Sequence, residues 1–134
     1  VWCMNREPSS YFPFRWQDAL IHPGAEQMRH VKALRQSHDY FSLRPSPEMA
    51  GAPYSGMGRI AACMGKDYGY VYSPLGLPFT VHLDAFRPAE RLRAMWFDPR
   101  TGKSEVFTVL PGRGDTTLVP PVQGQDWVLI LETV

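Results

Sequence analysis

Three histidines, His22, His30 and His38, recur at intervals of eight residues. A pair of metal ligands on a helix sits four apart on one face, whereas a spacing of eight turns each imidazole about 80° from the last. The pattern predicts no metal site, and these histidines are expected as exposed or capping side chains. Nucleophilic catalysis finds no better support. None of the serines lies in a G-x-S-x-G turn, and Cys63 falls within a strand-like run as a small buried residue. Gly56-Met57-Gly58 and Gly112-Arg113-Gly114 lead into no helix whose N-terminus could receive a phosphate, so they read as turns. Glu7, Asp18 and Glu26 cannot be assigned to opposite sides of a cleft, as sugar hydrolysis would need. No catalytic residue and no cofactor is implied.

The aromatic residues carry more. Tyr68, Tyr70 and Tyr72 occupy alternate positions of one strand-like run, so their rings share a face. That face is either an exposed platform on which a sugar ring could stack or the half-polar lining of a domain interface. Trp96 and Trp127 alternate in register with apolar residues and are expected in the core.

Positioning these residues requires the elements around them. Within PGAEQMRHVKALRQS, Ala25, Met28, Val31 and Leu34 recur every three residues, Pro23 suits a first helical turn and Glu26 lies at the positive end of the dipole. The spacing predicts a helix over 23–36, preceded by a shorter helical turn carrying Trp16, Ala19 and Leu20. SLRPSPEMAGAP, rich in proline and glycine, reads as a connector. Beyond Tyr54 the period becomes two, and seven short strands follow: 59–64, 69–73, 79–83, 92–97, 105–110, 116–119 and 127–132. In LRAMWFD, Leu92, Ala94 and Trp96 oppose Arg93, Met95 and Phe97, so both faces carry apolar surface, and DPRTGK returns the chain as a hairpin with Arg100–Lys103 exposed. The expected organisation is a helical segment over 1–41, a linker over 42–54 and a β-domain over 55–134. The fold class is mainly β, an immunoglobulin-like antiparallel sandwich preceded by a helical segment.

At 134 residues the chain makes one domain, or one with an appendage, and needs no staple for stability. Two cysteines, Cys3 and Cys63, cannot make a disulfide framework. A net charge of +1, from 14 basic and 13 acidic residues in no long runs, makes nucleic acid an unexpected partner. No apolar run approaches the ~20 residues of a membrane helix, so membrane insertion is not expected. Val1-Trp2-Cys3-Met4 is neither an initiator methionine nor a signal peptide, so the chain is expected to be processed or to be a piece of a longer polypeptide.

Taken together, the run from Val1-Trp2 through WQDALIHPGAEQMRHVKALRQS to RPSPEM resembles the last part of the catalytic barrel of bacterial apiosidase-like glycoside hydrolases. DYGYVYSPLGLPFTVHL, AMWFDPRTGK and VPPVQGQDWVLIL are similar to the sandwich domain that follows such barrels and is labelled collagen-binding. The resemblance implies that the helical segment is the remnant of a (β/α)8 barrel, with Trp2 near the mouth of the substrate cleft. It further implies a non-catalytic accessory module that packs on the barrel of its parent enzyme. The alternatives are a glycan-binding module using Trp2, Tyr68, Tyr70 and Tyr72, or an adhesion domain for collagen or another protein. Enzymes of this type are often exported. A helix with an apolar face must bury it, so without the barrel it is expected to pack on the sandwich or to self-associate.

Overall fold

Leu92, Ala94 and Trp96 point to one side of their strand and Phe97 to the other, and both sides are covered. That single strand shows the plan of the molecule: a large sheet with a second sheet on one face and a helical segment on the other. The computed structural model of the chain describes residues 14–86 and 88–134. Along it run helices α1 (Trp16–Ala19) and α2 (Pro23–Gln36) and strands β1 (Arg44–Pro45), β2 (Ala50–Gly51), β3 (Ala61–Met64), β4 (Tyr68–Ser73), β5 (Phe79–His82), β6 (Arg91–Asp98), β7 (Lys103–Pro111), β8 (Asp115–Leu118) and β9 (Trp127–Thr133).

The larger sheet has the order β1-β3-β4-β9-β6-β7 and the smaller β2-β5-β8, every pairing antiparallel. Between the two sheets lies the main core. Val71, Leu129, Leu131, Leu92 and Trp96 from the larger sheet meet Phe79, Val81 and Leu118 from the smaller. The fold is thus a mainly β antiparallel sandwich with a helical segment at its N-terminal side, as the sequence predicts.

Residues 42–54 do more than connect. Ala50 and Gly51 pair with Val81 and Thr80, Arg44 and Pro45 pair with Met64 and Cys63, and Met49 is fully buried. Met49 fits because Gly69 on β4 has no side chain; a Cβ there would lie 2.7 Å from Phe86 and 2.9 Å from the Met49 sulfur.

Helix α2 spans the predicted residues, but it does not present one apolar stripe. A three-residue spacing falls 60° short of a full turn, so Ala25, Met28, Val31 and Leu34 wind around the helix. Only Leu34 of these packs on the sheet cluster, while Met28 and Val31 stay 51% and 42% exposed. The half-buried positions are Ala25, Gln27, His30, Leu34 and Arg35. Among the described residues no helix is long and apolar enough to cross a membrane.

Candidate functional site

The outer face of the larger sheet is where the tyrosines, one histidine and the cysteine come together. Tyr68 and Tyr70 project from β4 beside Val128 and Ile130 of β9 and Phe97 of β6, forming a second buried cluster under Leu34 and Leu43. Tyr68 is 3% and Tyr70 5% exposed, whereas Tyr72 is 39% exposed. The three rings share a face, as alternation requires, yet the helical segment crosses only part of it. Stacking on a sugar needs an open aromatic face, and of the three rings Tyr72 alone keeps substantial exposure. Trp2 lies outside the described residues.

The sequence predicts His38 as a capping or exposed side chain; it is instead the fastening between the helical segment and the sheet. Its ring stacks on Tyr68 with centroids 4.3 Å apart. Nε2 lies 2.9 Å from Glu132 Oε1 and Nδ1 lies 2.7 Å from Tyr70 Oη. The carboxylate can only accept, so Nε2 carries a proton. Tyr70 Oη also lies 3.0 Å from Leu34 O, and the Ser37 hydroxyl lies 2.8 Å from the same carbonyl and 2.9 Å from Nδ1, so His38, Tyr70, Ser37 and Leu34 O form one hydrogen-bonded network. The remaining Glu132 oxygen accepts from Arg93 Nε and Nη2 at 3.0 and 2.7 Å.

Beside this fastening an open groove of about 530 Å³ runs between α2 and strands β3, β4 and β9. Val31, Leu34, Ala62, Phe97 and Val128 give it apolar walls, and Arg35, Arg44, Tyr72 and Asp126 line it as well. Burial pushes the Cys63 thiol up, opposed by the Arg35 guanidinium, so the sulfur is held as a neutral thiol and not as a nucleophile. Burial likewise raises Tyr70, and Tyr72 is raised first by burial and then by the Asp126 carboxylate, to which its hydroxyl donates at 3.4 Å. Among the described residues no three His, Cys, Asp or Glu side chains are placed to hold a metal.

The hairpin turn predicted at DPRTGK is present but less exposed than expected. Arg100 is pinned by Asp98 at 3.0 Å and by Asp126 at 2.9 Å, and its guanidinium covers the Trp127 ring at 5.0 Å. Nothing in the local sequence indicates that Asp126, 26 residues on, would reach Arg100.

A two-sheet antiparallel sandwich with a helical segment laid across its outer face defines the class of protein. Residues 47–132 match the family described as "Putative collagen-binding domain of a collagenase", and the chain belongs to that family. A solved structure described as a glycoside hydrolase superposes with a TM-score of 0.84 at 24% identity, over 97% of this chain and 30% of its own. A glycoside hydrolase family 5 protein from Bacteroides vulgatus ATCC 8482 gives a TM-score of 0.82 at 27% identity, over 90% of this chain and 26% of its own. The chain therefore spans less than a third of each of these structures. No curated protein matches it.

Proposed function

We propose that the chain is a non-catalytic accessory module of a glycoside hydrolase, packing on the catalytic barrel of its parent enzyme and stabilising it. One observation carries the reading. Trp16, Leu20, Ile21 and Met28 are 43%, 54%, 78% and 51% exposed, apolar side chains of the helical segment that the sandwich leaves uncovered. Surface of this kind marks an interface with another body. The solved glycoside hydrolases support the barrel as that body, because about 70% of each chain lies beyond the part this fold matches. In this reading the helical segment completes the barrel's end, the sandwich braces it, and His38 locks the two together. Export of the parent enzyme belongs to the same reading.

The test is made on the native gene product. Intact-mass analysis from the source cells is expected to give a species several times larger than 15.2 kDa. In that polypeptide, Leu20→Asp with Ile21→Asp is expected to lower the melting temperature of the catalytic domain by several degrees, while the 134-residue chain melts as before because both side chains are exposed in it. A native product of 15.2 kDa, or a catalytic domain indifferent to the pair, overturns the reading.

A further inference from the structure

Strand β7 is the outer edge of the larger sheet, and it contains one residue too many. The register with β6 passes from Ala94↔Thr108 to Met95↔Val106, so Phe107 is the extra residue of a bulge. A bulge re-aims a side chain, and here it lays the Phe107 ring flat on Trp96, with centroids 5.4 Å apart and planes at 17°. Trp96 is 7% exposed and fixed in the core; Phe107 remains 41% exposed. An aromatic ring with one face held by a buried indole and the other toward water is a rigid platform, ordered before any ligand arrives.

Phe107 borders a slot of about 430 Å³ between the β6–β7 hairpin and the segment leading into β9. Trp127 lines the slot as well, its indole held by donation from Nε1 to Val122 O at 3.1 Å and covered on one side by Arg100. Thr101, Lys103 and Glu105 supply a hydroxyl, an ammonium and a carboxylate to the same slot. Lys103 and Glu105 have no side-chain hydrogen bond or ion pair among the described residues, so their polar ends are available to a ligand. Charges of both signs alternate here, Lys103 beside Glu105 and Arg100 between Asp98 and Asp126, so neither a polyanion nor a polycation is selected.

We propose that this slot binds a neutral glycan chain, with Phe107 stacking on the C–H face of a sugar ring, Trp127 packed on the core as the fixed wall behind it, and Thr101, Lys103 and Glu105 bonding to ring hydroxyls. Rigid aromatic surface beside a few convergent polar groups is what an apolar-faced, hydroxyl-edged ligand requires. The site lies on the hairpin edge, and the proposal stands independently of what the helical segment docks against.

Isothermal titration of the full 134-residue chain with cello-, xylo-, manno- and arabinohexaose tests it. Saturable binding of at least one hexasaccharide is expected, weakened about tenfold by Phe107→Ala and clearly by Glu105→Ala. Phe107→Leu keeps Trp96 covered while removing the ring, so it guards against a folding defect and is expected to weaken binding similarly. Absence of heat with all four sugars at millimolar concentration, or a Phe107→Leu chain that binds as tightly as the parent, overturns the proposal.

Discussion

Tyr70 joins two elements through one oxygen, which lies 3.0 Å from Leu34 O on the helical side and 2.7 Å from His38 Nδ1. Removing that oxygen leaves the ring in its cluster but breaks the bridge, so Tyr70→Phe is expected to destabilise the chain by about 1 kcal/mol at pH 7, read from a thermal melt. The cost is expected to shrink in alkali. Burial raises the Tyr70 phenol above its ordinary value, so the stability it contributes is present below an unfolded-state value of about 10 and is lost as pH rises through the folded one. A Tyr70→Phe chain whose deficit is the same at neutral and at strongly alkaline pH would contradict this. The sharing of one face by Tyr68, Tyr70 and Tyr72 is legible in their spacing, because a strand alternates. Which of them is covered is not, since His38 and Glu132 stand 94 residues apart and meet only when β9 enters the sheet between β4 and β6.

Among the elements, α2 and the strands with clear alternation stand out from local pattern alone. The two-residue strands β1 and β2 do not, because so short a segment is extended only by virtue of its partners, β3 and β5. Met49 makes the point energetically. It sits in a stretch whose prolines and glycines read as a connector, yet it is fully buried against the main core. Met49→Ala is therefore expected to cost about 2–5 kcal/mol, measured by urea unfolding; a loss under about 0.5 kcal/mol, the level of a surface change, would show that the segment merely lies over the sandwich. The helix teaches the complementary lesson. Its ends are set by Pro23 and by the break at Ser37, whereas its buried side is chosen by the sheet beneath it, so the apolar residues at three-residue spacing end up partly outside.

For the whole molecule, the consequence of the two-sided larger sheet is that its second face needs a cover, and the helical segment supplies it while turning its own apolar residues outward. The isolated chain is accordingly expected to self-associate at raised concentration through the Leu20 and Ile21 region, and Leu20→Asp with Ile21→Asp to hold it monomeric. Sedimentation velocity decides: a parent chain that stays monomeric at high concentration would mean that this apolar surface is too dispersed to drive association. The sequence by itself determined the class of the fold, the extent of α2, the positions of seven strands and the two-faced character of β6, because helix and strand periods are local properties of the chain. Tertiary structure alone decided that Met49 belongs to the core, that His38 fastens the helical segment to Tyr70 and Glu132, that Tyr72 is the exposed member of its row, and that a bulge sets Phe107 on Trp96. Each of these depends on which strands become neighbours, and neighbours are selected by packing across the sandwich, a property of the assembled chain that no local pattern contains.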